Sequence, residues 1–180
     1  MSLRWKGQLV EVTTAQAHET PAVLGILDAA SAWLRSRGVE QWPERAAAPP
    51  VEAAIARGEV WLARIGGEVA ATLRLDWADP LWADLDAQAG YLHQFAVRRR
   101  AAGLGAPLVE WAADVARRAG REALRLDCVS WNEPLRRYYE ALGFAHRGDV
   151  EVRGAPGERA GIGPAVVVSR YERRLSPHVP

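Results

Sequence analysis

The stretch from Tyr91 to Val129 constrains the architecture more than any other. An apolar run, Tyr91 to Val97, leads through "RAAGLG" (Arg100 to Gly105) into a long segment, Leu104 to Arg118, and then a second apolar run, Ala123 to Val129. Both runs have strand length. Between them, Leu104, Leu108, Trp111, Ala112, Val115 and Ala119 recur at helical spacing, with Glu110, Asp114, Arg117 and Arg118 off that stripe. Gly120 supplies the stop. A strand–helix–strand order of this kind makes a βαβ unit, whose strands run parallel with a right-handed crossover.

The flanking sequence reads as antiparallel. Leu9 to Thr13 alternates as a strand. A helix starts near Thr20-Pro21, with Thr20 as N-cap and Val23, Leu24, Leu27, Ala30 and Leu34 as its apolar stripe, and Gly38 ends it. Pro43, Pro49 and Pro50 make Gln41 to Pro50 a loop, followed by a short helix from Val51 to Arg57. Glu59 to Ile65 and Glu68 to Trp77 form a hairpin about Gly66-Gly67. Asn132 caps a helix running to Leu142 and stopped by Gly143, and strands follow at Phe144 to Val150 and Ala165 to Tyr171, joined by a loop from Arg153 to Pro164. The expected fold is mixed α/β: a mostly antiparallel central sheet of six to seven strands flanked by helices, with one βαβ unit.

The 180 residues fit one domain, 1–180, with its core between Leu9 and Tyr171. A net charge of +1 gives no global field for nucleic acid or a membrane surface, although Arg98, Arg99 and Arg100 are clustered, as are Asp76, Asp79, Asp84 and Asp86. The single cysteine, Cys128, excludes an intrachain disulfide and a thiolate-built zinc site, and reads as core; no metal is expected. No signal peptide and no apolar run near the roughly 20 residues of a membrane span are read, so a cytoplasmic location is expected.

RAAGLG lies between a strand and a helix. The first N–H groups of a helix lack intrahelical partners, and the macrodipole is positive there. Gly103 and Gly105 let a ligand approach the backbone, and Pro107 falls where a missing N–H costs little. The turn can therefore hold an anion, or simply join two elements. A P-loop would need Gly-Lys-Ser/Thr where Leu104-Gly105-Ala106 stands. A dinucleotide site would use Gly103, Gly105 and Asp127, but its third glycine position is Leu108 and no second βαβ unit follows. The decisive context is "NEPLRRYYEALGF": Asn132 and Tyr139 share one helix face, roughly 10 Å apart along the axis. Their helix begins at the carboxyl end of the neighbouring strand, the edge where ligands bind in α/β sheets.

With these residues, the sequence resembles the GCN5-related N-acetyltransferases. Arg100, Gly103 and Gly105 match the family's Arg/Gln-x-x-Gly-x-Gly/Ala motif. Asn132, Tyr139, Gly143 and Phe144 match its later Asn…Tyr…Gly-Phe pattern, with Leu135 at a position usually small. The element order agrees from Leu9 to Tyr171. The connection from Val97 to Gly103 is shorter than is common there.

The resemblance implies acetyl-CoA as donor and direct transfer to an amine, without an acyl-enzyme. It assigns the diphosphate to backbone N–H groups of Gly103, Leu104, Gly105 and Ala106 with Arg100 nearby. The pantetheine goes to the strand backbone at Phe95, Ala96 and Val97 and to the Asn132 side chain. Tyr139 is placed to protonate the leaving thiolate. His93, on the strand of Phe95 and Val97 and sharing their parity, is the candidate base, since histidine titrates near neutrality; a hydrogen-bonded structural histidine is the competing reading. Glu40, Trp42 and Asp76 are the acceptor-side candidates, and Trp77 and Trp82 with Asp76 and Asp79 a second cluster; such aromatic–acid groups suit a cationic amine, small molecule or peptide. A non-catalytic acyl-CoA sensor of the same fold is the alternative, and a homodimer is expected only by analogy.

Overall fold

This computed structural model describes residues 1–85, 88–153 and 165–176. Asp86, and the predicted 153–164 loop beyond its first residue, lie outside the described residues. In chain order the elements are β1 (Ser2–Trp5), β2 (Gln8–Thr14), α1 (Thr20–Arg35), α2 (Ala48–Ala56), β3 (Val60–Ile65) and β4 (Glu68–Asp76). Then come β5 (Ala89–Val97), α3 (Gly105–Arg118), β6 (Ala123–Val129), α4 (Glu133–Ala141), β7 (Ala145–Arg153) and β8 (Ala165–Arg174). Hydrogen bonding follows the order β1-β2-β3-β4-β5-β6-β8-β7. β5 and β6 pair in parallel, as the βαβ reading requires, while β1–β2, β2–β3, β3–β4, β6–β8 and β7–β8 are antiparallel.

Eight strands replace the six to seven expected. The addition is β1, a four-residue strand tied to β2 through Lys6 (φ 47°) and Gly7 (φ 78°). Two successive positive φ values define the hairpin turn that suits strand twist. Lysine in the first of those positions carries no turn signal, so the hairpin is invisible in the sequence.

The chain divides into two compact units. The first comprises Met1–Leu75 and Gln94–Trp111. Its core packs Val23, Ile26 and Leu27 of α1 and Val51, Ala54 and Ile55 of α2 with Val60 and Leu62 of β3 and Ala96 of β5. Burying each large side chain contributes about 1.5–3 kcal/mol. Two helix expectations change here. Ile26 and Ser31 join the buried face of α1, with Leu24 and Ala30 partly buried against the same core, and the Ser31 hydroxyl donates to the Pro43 carbonyl at 2.7 Å. Pro49 and Pro50 start α2 instead of preceding it, because first-turn N–H groups have no intrahelical acceptor to lose.

The second unit comprises Asp76–His93 and the chain from Ala112 onward. β8 inserts between β6 and β7, pairing Ala123 with Arg174 through to Val129 with Val168. The Asn132 side chain accepts from the Leu135 N–H at 3.2 Å, which caps α4, and Gly143 (φ 83°) ends it. Among the described residues, no helix is long and apolar enough to cross a membrane.

Candidate active site

In the first unit, the connection after β5 is pinned to β4. The Arg98 N–H donates to Ala70 O at 2.8 Å and its Nε to Val69 O at 3.1 Å. A short 3-10 turn, Arg99–Ala101, precedes Gly103 at φ +97° and the start of α3. That φ needs glycine for its backbone, not for space, since a Cβ there would meet Trp5 Nε1 at an ordinary 3.7 Å. The Leu104 N–H is already committed to Ala101 O at 3.0 Å, so of the four expected amides it is the one the turn itself consumes. Gly105 and Ala106 open the helix, where N–H groups point outward with the positive dipole end. The Arg100 guanidinium pairs with the Glu68 carboxylate and donates to Val69 O at 3.1 Å. It braces the connection against β4 instead of reaching over the turn.

Gln94 has φ 46°, a left-handed conformation for a residue with a side chain. Such a residue costs about 1–3 kcal/mol and re-aims the strand. It falls between His93 and Phe95 in the sequence of β5. Phe95 and Val97 are half-buried, and Ala96 belongs to the core of its unit.

In the second unit, the parallel ladder of β5 and β6 consists of Ala89–Ala123, Gly90–Leu124 and Tyr91–Arg125 and stops there, although both strands continue. The strands fork. Two residues past the last pair, His93 and Asp127 face each other, with His93 Nδ1 4.0 Å from Asp127 Oδ1. His93 Nε2 lies 3.4 Å from Asp76 Oδ1 and 3.6 Å from Asp79 Oδ2. Burial alone would lower the imidazole pKa, but the Asp76 hydrogen bond and the three carboxylate charges outweigh it and raise the value above 6.5. Burial raises the Asp127 carboxyl, only partly opposed by His93. Asp79, His93 and Asp127 each bring a ligand atom within 4.8 Å of the others, a spacing that could hold a metal ion.

The other face of β6 carries Cys128 and, over it, α4. Tyr139 is the buried residue of that helix, its ring 5.9 Å from Phe144 and 6.4 Å from Tyr171. Burial pushes its phenol well above 10, with Cys128 and Asp127 adding to the effect. Burial also pushes the Cys128 thiol up to about 12, which suits the expected core role and disqualifies it as a nucleophile.

The acceptor-side candidates separate. Asp76 joins the His93 cluster. Glu40 is exposed and pairs with Arg35 at 3.4 Å, and Trp42 packs on the core of the first unit, so both have structural partners. Trp82 is buried, with Arg125 and Arg170 over its ring at 5.0 and 5.1 Å, and Trp77 carries Arg121 at 5.3 Å. The cations on these rings are the protein's own. Sequence reasoning missed Asp127 as a partner of His93, having weighed it only as the ribose acid of a dinucleotide site. The available signal was the βαβ register, which sets residue 93 beside residue 127.

β5 and β6 form a parallel pair; the glycine turn follows β5, and the buried Tyr139 lies on the helix that follows β6. The comparisons with known proteins supply the family. The sequence profile described as "Acetyltransferase (GNAT) family" matches residues 27–144, and the chain belongs to that family. It is 30% identical over 141 residues to an uncharacterized N-acetyltransferase, YesJ, of Bacillus subtilis (strain 168), covering 72% of this chain and 78% of that one. In fold it is similar to a GNAT-family acetyltransferase from Listeria monocytogenes 4b F2365, with a TM-score of 0.77 at 22% identity over 97% of this chain and 100% of the other. It is also similar to yncA of Salmonella typhimurium, a putative acetyltransferase with its cofactor acetyl-CoA, with a TM-score of 0.65 at 18% identity over 95% and 96% of the two chains. The chain is thus an acyltransferase of the acetyl-CoA-using class.

Proposed function

We propose that this chain moves an acetyl group from acetyl-CoA directly to the nitrogen of a cationic small-molecule or peptide amine, in the cytoplasm. The observation that carries this reading is the fork of β5 and β6. One face of β6 beyond it presents a carboxylate–histidine cluster, and the other presents Tyr139. Direct transfer needs a proton removed from the incoming ammonium and one delivered to the departing thiolate. The His93 cluster takes the first, and the Tyr139 phenol supplies the second.

In the first unit, the diphosphate role falls to the amides of Gly103, Gly105 and Ala106, with Arg100 bracing the turn through β4. The backbone of Phe95, Ala96 and Val97 and the Asn132 side chain are assigned to the pantetheine amides. The raised phenol keeps Tyr139 protonated at any working pH. A weak acid of this kind delivers its proton as the C–S bond breaks and regains one from the newly acylated nitrogen.

Thiol release from acetyl-CoA across a panel of amines tests the activity and identifies the acceptor. Tyr139→Phe should lower kcat about 10²–10⁴-fold while leaving acetyl-CoA affinity in place. Unchanged turnover would remove Tyr139 from the acid role.

A further inference from the structure

We infer that Asp127 is the residue that accepts the ammonium's proton, and that His93 is its fixed charged partner. This rests on the acetyl-transfer reading above and assigns a residue within it.

The four groups of the cluster, Asp76 buried and the other three partly buried, are not equivalent. His93 directs both ring nitrogens at carboxylates, Nε2 between Asp76 and Asp79 and Nδ1 toward Asp127. An imidazolium so placed turns both N–H groups toward carboxylates and has no lone pair to offer. Asp76 Oδ1 is its nearest carboxylate oxygen, at 3.4 Å. Asp79 Oδ1 accepts the Leu81 N–H at 2.9 Å, capping the 3-10 turn Pro80–Trp82, while Oδ2 faces His93. Asp127 stands apart. Its Oδ1 is 4.0 Å from the imidazole, beyond hydrogen-bond length, and it sits at the fork.

The groups around Asp127 are otherwise committed. Arg170, across from it on β8, gives its guanidinium to Asp84 at 2.6 and 3.1 Å and to the carbonyls of Leu81 and Arg147. Arg125, two residues back on β6, is bound to Glu172 at 2.8 Å and to the Tyr91 hydroxyl at 3.2 Å. Neighbouring residues of a strand face opposite sides. Asp127 therefore lies on the face of the His93 cluster, and Cys128 on the face of Tyr171 and Tyr139. The base for the incoming amine and the acid for the leaving thiolate flank β6 at one level. Burial raises the Asp127 carboxyl, which makes it a stronger base than an exposed aspartate.

The protons balance. The ammonium gives one to the Asp127 carboxylate and becomes an amine. The amine forms the C–N bond, and the C–S bond breaks as the thiolate takes the Tyr139 proton. The acylated nitrogen returns its extra proton to the phenolate. Asp127 releases its proton to solvent, the one proton the overall reaction liberates.

The test is the pH profile of kcat/KM for wild type, Asp127→Asn, Asp127→Glu and His93→Gln, with acetyl-CoA affinity measured in parallel. Asp127→Asn should lose about 10²–10³-fold in turnover and lose the acidic limb set by the base. Its residual rate should climb with pH as free amine accumulates, with acetyl-CoA affinity within twofold of wild type. Asp127→Glu should keep the limb, and His93→Gln should move it without abolishing it. A limb abolished in His93→Gln and intact in Asp127→Asn would make His93 the base and overturn the assignment. So would an undiminished rate in Asp127→Asn, or turnover lost on chelation and restored by a divalent ion. Wild type that releases no thiol with any amine would overturn the acetyl-transfer reading itself, and this assignment with it.

Discussion

Two buried charged groups share one face of β6 and are built in opposite ways. Around Arg125, the buried guanidinium is hydrogen-bonded directly to a buried counter-charge. Its guanidinium holds the Glu172 carboxylate, Arg147 reaches the other Glu172 oxygen at 2.8 Å, and Trp82 and Tyr91 lie against it. Around Asp127, two residues on, three carboxylates face one imidazole. A buried charge is tolerated when it is paired and hydrogen-bonded. The first group meets that condition within itself and serves the fold. The second is left rich in carboxylate where the strands part.

The largest effect should come from breaking the first group. Burial raises the Glu172 carboxyl, but the Arg125 and Arg147 guanidinium groups more than reverse this and hold it below the usual carboxylate range. Glu172→Gln leaves Arg125, whose side chain is 5% exposed, without its counter-charge. Removing one partner of a buried pair costs about 3–5 kcal/mol, and denaturant unfolding should show a loss of that size. A loss below about 1 kcal/mol would dissolve the contrast, since a surface pair gives no more.

The same contrast separates what the sequence could say from what it could not. The βαβ unit, the Gly66-Gly67 hairpin, the Asn132 cap and the Gly143 stop are local signals, and the structure has them. That Tyr139 and its cap Asn132 belong to one helix was legible from local spacing, and Tyr139 is the buried residue of α4. The Arg125–Glu172 pair spans 47 positions and joins two strands that the sequence does not show to be neighbours. No residue type gives a sign of the parallel ladder ending at Tyr91–Arg125, or of the left-handed Gln94. Trp82 misled because an aromatic ring among aspartates looks like a cation seat. Arg125 and Arg170, from strands far along the chain, lie over its ring.

A smaller effect should distinguish the two groups by pH. The folded pKa of His93 is raised, so its stabilisation is fully present below its unfolded value near 6.5 and is lost as pH rises through the folded value. The raised Asp127 carboxyl acts in the same direction, favouring the folded state while protonated. Glu172 is lowered, so its contribution is present above the ordinary carboxylate pKa and lost as pH falls through the folded value. Stability should decline on both sides, with the alkaline edge belonging to the His93 cluster and the acid edge in part to Glu172. In thermal unfolding against pH, His93→Gln should remove the alkaline edge and leave the acid one. An alkaline edge unchanged in that variant would detach it from the cluster.

The smallest effect should come from charges that are paired but wet. On β7, Asp149 Oδ1 accepts from the Ser169 hydroxyl at 2.7 Å and lies 2.7 Å from His146 Nε2. The Ser169 hydrogen bond, then that of His146, holds the Asp149 carboxyl below its usual value. These are three residue types of a hydrolase triad, but the serine is bonded to the carboxylate and not to the imidazole, so no base activates it. His146 and Asp149 are 37% and 43% exposed, and solvent screens what they share. His146→Ala should cost less than about 1 kcal/mol, shrinking further at high salt, with acetyl transfer unaffected. A loss near that of Glu172→Gln would mean that pairing, rather than burial with pairing, is what makes a charge structural in this protein.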